Sequence, residues 1–379
     1  MLKQTQTIVP NIPNTVISIS NDYCSQGDLL AVRAHNKVTK QDMLLIYTRL
    51  NGEFEITDCY APDWWTSNWQ VAIRGINDSI YFVAIDTVLG IGHVVRYRYR
   101  KFETVFTVDD CECTLGMNDK SIAISQDEQY IAVTNFRVRH NKEESTLLYS
   151  AEIILHDCNT KLSTLMSTAD SSEYNRIWSF RSLAIANNQV IAGSPDLTFT
   201  TETTDTMHRE YNGNGSRIDV FDFDGNHLTK ITARDASPGN FFGTELEVSG
   251  DGHTLIVMAP AQDQKIGCAY QYKFMDSSWV QAGKYSPRDI AIHTDIKYSL
   301  YGCCVNQDGS KFMLSDGLFG ALYVYNNDEL VHTHHKKGSK DWFGFDIKTN
   351  DSFTQVAVIE RDTPHENNSL GAVYLFEIS

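Results

Sequence analysis

The chain has 379 residues, 42% hydrophobic and 21% charged, proportions that exclude wholesale disorder. Its 48 acidic against 32 basic side chains leave a net charge of -16, which repels phosphate backbones and anionic lipid and speaks against nucleic-acid binding. Aromatics at 11%, with 18 Tyr and 18 Phe against 8 Pro, favour strands.

The first segment, Met1-Leu-Lys-Gln-Thr-Gln-Thr-Ile-Val-Pro10, has strand composition and lacks the apolar run of a secretory signal. Synthesis in the cytoplasm without a signal peptide is therefore expected, with the eight cysteines reduced. The longest apolar stretch, Ile80 to Val95, is cut by Asp86, Gly90, Gly92 and His93, so it falls short of the roughly 20 apolar residues of a membrane helix. No membrane insertion is expected.

Three phrases then recur in order along the chain. The first is strand, polar turn, strand, as in Val71-Ala-Ile-Arg-Gly-Ile-Asn-Asp-Ser-Ile-Tyr-Phe-Val83 and Leu246-Glu-Val-Ser-Gly-Asp-Gly-His-Thr-Leu-Ile-Val257. Gly, Asn and Asp at its turn tolerate the positive φ of short hairpins. The second is a run of alternating apolar and aromatic residues. It is weak at Leu44-Leu-Ile-Tyr47, Val95-Arg-Tyr-Arg-Tyr99 and Ile153-Ile-Leu-His156. It is strong at Gly215-Ser-Arg-Ile-Asp-Val-Phe221, Gly267-Cys-Ala-Tyr-Gln-Tyr272, Gly320-Ala-Leu-Tyr-Val-Tyr325 and Gly371-Ala-Val-Tyr-Leu-Phe376. From Phe221 the strong copies follow at intervals of 51, 53 and 51 residues. The third phrase is another short strand, such as Glu53-Phe-Glu-Ile-Thr57 or Trp279-Val-Gln-Ala282.

Four short strands in a period of about 50 residues are the signature of a β-propeller blade. The expected fold is all-β: a single seven-bladed propeller of four-stranded blades over residues 1–379. Approximate blades are 11–60, 69–110, 119–166, 178–233, 241–285, 299–335 and 342–379. The last copy ends at Ser379 after its third strand, and residues 1–10 are expected to supply the fourth and close the ring.

Over residues 178–379 the chain resembles the FG-GAP repeat propellers, the group that includes the integrin α-chain head. The residues that carry the resemblance are Phe242-Gly243, Val248-Ser-Gly-Asp-Gly252, Ala259-Pro260 and Gly267-Cys-Ala-Tyr270, with further copies at Phe343-Gly344, Tyr301-Gly302 and Ala192-Gly-Ser-Pro195. The resemblance implies a recognition domain. It departs from the family at the Asp-x-Asp-x-Asp-Gly calcium loop. Here the corresponding turns, Ser249-Gly-Asp-Gly252 and Asn306-Gln-Asp-Gly309, carry one carboxylate each, too few for the six to eight oxygens of Ca²⁺. No metal or cofactor is expected.

Connections between strands one and two, and three and four, are short and define a plain face. Those on the opposite face are long: residues 34–42, 60–68, 136–146, 167–178, 195–214, 286–298 and 360–370. Long loops commonly hold recognition surfaces, so this face is the expected contact surface. Within it Trp64, Trp65 and Trp69 share one connection, and Arg209 and Tyr211 sit in a Thr-rich loop expected to order on a partner. The bland alternative for the indoles is packing between blades. The alternate histidines of His332-Thr-His334-His335 would face one way on a strand, as half of a metal site does, but with no third ligand spaced nearby they read as surface histidines beside Lys336-Lys337. Cys111, Cys113, Cys303 and Cys304 read as buried thiols. No phosphate loop, nucleophile elbow or zinc-hydrolase motif occurs.

The expected function is non-enzymatic: a binding or structural propeller, such as a virion (phage or large-virus) structural, decoration or attachment protein, with protein partners or a surface glycan. The alternatives are an intracellular WD-repeat-like interaction scaffold and a propeller glycosidase or lyase.

Overall fold

The computed structural model describes residues 1–9, 11–24, 26–65, 72–86, 88–109, 121–141, 146–171, 180–195, 199–200, 210–211, 216–236, 240–262, 267–286, 300–336, 342–365 and 368–379. After β1 (Leu2–Ile8), the strands come in antiparallel fours. The first unit is β2 (Thr15–Tyr23), β3 (Leu29–Asn36), β4 (Asp42–Leu50) and β5 (Glu53–Tyr60). It is followed by β6 (Ile73–Ile76), β7 (Ser79–Asp86), β8 (Ile91–Arg98) and β9 (Lys101–Val108), then by β10 (Ile122–Ile124), β11 (Tyr130–Asn141), β12 (Thr146–Asp157) and β13 (Leu162–Ser171). The next unit holds β14 (Ser182–Ala186) and β15 (Gln189–Ser194), an inserted ribbon of β16 (Phe199–Thr200) and β17 (Glu210–Tyr211), then β18 (Arg217–Asp222) and β19 (His227–Ile231). Two more fours follow: β20 (Leu246–Val248), β21 (Thr254–Ala259), β22 (Cys268–Met275) and β23 (Ser278–Tyr285); then β24 (Leu300–Val305), β25 (Lys311–Asp316), β26 (Ala321–Asn326) and β27 (Glu329–His335). β28 (Phe343–Thr349), β29 (Gln355–Pro364) and β30 (Leu370–Ile378) end the chain.

The turns follow from local chemistry. Asn51-Gly52, Tyr99-Arg100, Asn187-Asn188, Asp276-Ser277 and Asn327-Asp328 all have positive φ at both positions. Two such residues form the type I′ turn whose twist matches the flanking strands.

Five of these units are separate four-stranded sheets. The unit β2–β5 shares an eight-stranded sheet with β28–β30, through a single parallel bridge, Val16 to Leu370. β1 lies antiparallel on β30, from Leu2 opposite Ile378 to Ile8 opposite Val373, with a register shift between Gln4 and Gln6.

The core lies between the sheets, and period-2 alternation builds it. On β21, Leu255, Val257 and Ala259 join a cluster with Ile191 and Val220 of the preceding unit, while Ile256 and Met258 join Phe312 and Leu314 of the next. Both faces are covered, so the strand is apolar from Leu255 to Ala259. Each cluster draws on two consecutive units in this way. The last one sets Ile8, Ile359, Val373 and Leu375 against Val32, Leu45 and Tyr47 of the first. Likewise the first strand of each unit neighbours that of the next, and β28 neighbours β2. No helix among the described residues is long and apolar enough to cross a membrane.

Candidate functional site

The elaborated face differs from expectation in what builds it. Residues 136–146 were expected as a loop, but β11 and β12 stay paired from Tyr130–Asp157 to Asn141–Thr146. β10 stops at Ile122, opposite Val133. The ladder therefore runs eight residues past its inner neighbour, a projection of roughly 26 Å at 3.3 Å per residue. β13 follows it as far as Ser171, opposite Tyr149. Within 195–214, Phe199 pairs with Tyr211 and Thr200 with Glu210. Backbone pairing thus persists beyond the sheets, where length alone indicated loops.

Trp65 corrects the expectation of a surface anchor. Its side chain is fully buried, ring-stacked on Phe82 at 6.0 Å and tilted against Tyr60 at 5.9 Å. Its carbonyl accepts the Asp42 amide at 3.0 Å. It therefore wedges the unit β2–β5 against β6–β9, the packing role named as the alternative. Trp64 is half-buried, 4.6 Å from the His93 ring. Tyr211 lies in β17, on a separate ribbon. Trp69, Arg209, Cys111 and Cys113 lie outside the described residues.

Of the histidines, His334 packs edge-on to Phe376 at 5.2 Å, and burial pushes His332 and His334 down from the usual imidazole value. Among the described residues no group of three or more His, Cys, Asp or Glu is placed to hold a metal ion. Cys303 and Cys304 are buried.

The cavity lies on the other face, the one expected to be plain. A pocket of about 310 Å³ is lined by the ends of the first strands and by the turns that follow them. Several of these turns are closed by their own side chains. Ser249 Oγ donates to Asp251 Oδ1 at 2.6 Å and accepts the Thr254 amide at 2.9 Å, while the His253 amide donates to the same Asp251 oxygen at 2.9 Å. Ser125, Asp127, Gln129 and Tyr130 repeat the arrangement. Asn306 takes the serine's place in the next turn, its Oδ1 accepting the Lys311 amide at 3.0 Å. Neighbouring turns are tied together, the Asp251 amide donating to Gln307 O at 2.8 Å and the Gln307 amide to Asp351 O at 3.1 Å.

Sequence reasoning missed the groups on the pocket floor: Asp22, Arg74, Glu247 and Lys348. Their strand neighbours Ile73, Leu246 and Ile347 belong to core clusters, so alternation turns Arg74, Glu247 and Lys348 away from that packing and into the pocket. Arg74 Nη1 lies 2.7 Å from Glu247 Oε2, and Lys348 Nζ donates to Glu247 Oε1. The Glu247 carboxylate holds the guanidinium above its usual value. Asp22 is pushed up by burial, which outweighs Lys348 and Arg74 nearby. The available signal was a charge set beside an apolar residue in the first strand phrase of three units, Ile-Arg74-Gly-Ile, Leu-Glu247-Val and Ile-Lys348-Thr.

No protein-family model matches the sequence, and no curated protein matches it. Solved structures do match. The β-propeller domain of Cps50 (Swd1) from Myceliophteria thermophila aligns with a TM-score of 0.59 at 10% identity over 100% of both chains. Oligogalacturonate lyase from Vibrio parahaemolyticus aligns at 0.58 and 9%, covering 100% of this chain and 98% of that one. The β-propeller domain of the trilobed protease from Pyrococcus furiosus, described as having an open velcro topology, aligns at 0.56 and 11%, covering 96% and 94%. Four-stranded sheets that pack face to face in sequence, together with these likenesses, define the class: the chain is a β-propeller. At such identities the likeness carries the fold alone.

Proposed function

We propose that this propeller is a non-enzymatic recognition module whose contact surface is the elaborated face. The observation that carries the reading is the β11–β12 ladder continuing eight residues beyond the end of β10. A paired, projecting ribbon presents a surface that is already ordered, which lowers the entropic cost of binding.

The finer architecture is a ring of seven blades, closed by β1 completing the last. Its support is the β1–β30 ladder, the apolar cluster joining last unit to first, and a pocket lined from every unit. Kinship with FG-GAP propellers rests on the glycines of that motif. Gly243, Gly267, Gly344 and Gly371 have φ near +90°, and a Cβ on Gly267 would meet Pro260 O at 2.9 Å.

Within this class the role is that of a virion structural, decoration or attachment protein with a protein partner or surface glycan. The acidic balance supports it. A photo-crosslinking amino acid at position 140, followed by mass spectrometry of source cells and any particles they release, tests both claims. Attachment to a particle protein or glycan is expected. Attachment to a cytoplasmic signalling or chromatin protein would move the reading to an intracellular scaffold. Turnover of polygalacturonate or another glycan by the purified chain would replace it with the enzyme reading.

A further inference from the structure

The axial pocket has a charge pattern that its own residues leave incomplete. Asp22, Asp127, Glu247, Asp251 and Asp351 line it, against two cations, Arg74 and Lys348. Both cations already meet Glu247. Asp22 is 5% exposed and takes backbone amides only, from Tyr23 at 2.9 Å and Gly75 at 3.1 Å. Among the described residues it forms no ion pair of its own: Lys348 and Arg74 act on it from nearby, but both already meet Glu247, so the two cations are shared among more carboxylates than they can neutralise. Asp127 and Asp251, exposed at the mouth, add two more negative charges. One wall is aromatic: Tyr130 and Phe223 are in ring contact at 4.3 Å. Carboxylates in a cleft concentrate the field of a chain that is already strongly acidic. Aromatic faces add attraction for a cation entering beside them.

We propose that the axial pocket binds an organic cation, an alkylammonium or guanidinium group, held by the Asp22, Asp127 and Asp251 carboxylates beside the Tyr130–Phe223 wall. At about 310 Å³ the cavity takes a side-chain-sized guest, the small end of the roughly 300–1,000 Å³ range of ligand sites. That guest is either a free amine or an arginine or lysine side chain presented by a partner.

Calorimetry at low salt with n-butylammonium, L-argininamide and a capped pentapeptide with central arginine tests the site, with inorganic phosphate and acetate as anionic probes. The cations are expected to bind and the anions not. The double variant Asp127→Asn, Asp251→Asn keeps both Oδ1 acceptors that close the turns but loses two charges, and it should weaken every cation at least tenfold without lowering Tm. Tyr130→Leu should weaken them several-fold with the charges intact. A pentapeptide that binds more tightly than argininamide assigns the guest to a partner's side chain, and the reverse order assigns it to a free amine. Saturation by phosphate or acetate instead of the cations, or equal cation affinity in wild type and double variant, overturns the proposal.

Discussion

Arg74 and Glu247 lie 173 positions apart in the chain, yet their side chains meet at 2.7 Å in the axial pocket. Lys348 reaches the same carboxylate from a third unit, so Glu247 is the counter-charge for two cations. Glu247→Ala would leave Lys348, only 4% exposed, and Arg74 without it. Removing one partner of a buried pair costs about 3–5 kcal/mol, and urea unfolding should show a loss of that size. A loss below about 1 kcal/mol would mean that water already screens the floor, as at exposed pairs.

Trp65→Ala should destabilise the fold by about 3–5 kcal/mol, the usual cost of emptying a fully buried aromatic site. The side chain is 0% exposed and lies between Tyr60 and Phe82. This reverses the expectation from sequence that placed Trp65 on the contact surface, where its loss would weaken partner binding and spare the fold. Thermal and denaturant melts of the variant decide between the two.

What the sequence disclosed and withheld has a physical basis. Alternating phrases such as Thr254–Ala259 are legible because both faces of the strand must be apolar to pack between sheets. The axial floor was not legible. Arg74, Glu247 and Lys348 are distant in the chain, and only the arrangement of the units brings them together. Trp65 misled for a related reason. A tryptophan in a connection has the same sequence context whether it points outward or back between two sheets. The β11–β12 extension was hidden because nothing between Phe136 and Thr146 marks where its inner neighbour stops.

Removal of residues 1–9 should lower Tm by many degrees and cause aggregation. β1 covers the edge of β30 over six register pairs, and Leu2 and Ile8 each enter a core cluster. Its loss exposes both an unpaired edge and apolar surface. A truncated chain that stays monodisperse and melts within a degree of full length would show that the ladder contributes nothing to closure.

EDTA should leave Tm unchanged. In the turn at Ser249, Asp251 Oδ1 is already occupied by the Ser249 hydroxyl and the His253 amide, and Asp308 Oδ1 likewise by Asn306, Ser310 Oγ and the Ser310 amide. These carboxylates stabilise the turn internally, whereas calcium requires six to eight oxygens. A fall of several degrees on chelation would place a structural ion in the turns.

Asp22 predicts a pH dependence of definite sign. Its folded value lies above the ordinary 3.8, burial being the main cause, with Glu247 adding to it and Lys348, Arg74 and the Gly75 amide opposing it. The folded state therefore holds the proton more tightly than the unfolded chain. This contribution to stability is fully present below 3.8 and is lost as pH rises through the folded value. Asp22→Asn removes the titration. It keeps an acceptor for one amide and gives up the other, an offset that does not vary with pH. Melts of both proteins from acid to neutral pH, in an amine-free buffer so that no guest cation masks the carboxylate, should show Tm(variant) minus Tm(wild type) rising with pH. A difference that falls instead would mean that Lys348 and Arg74 outweigh burial and that Asp22 is stabilised as the anion.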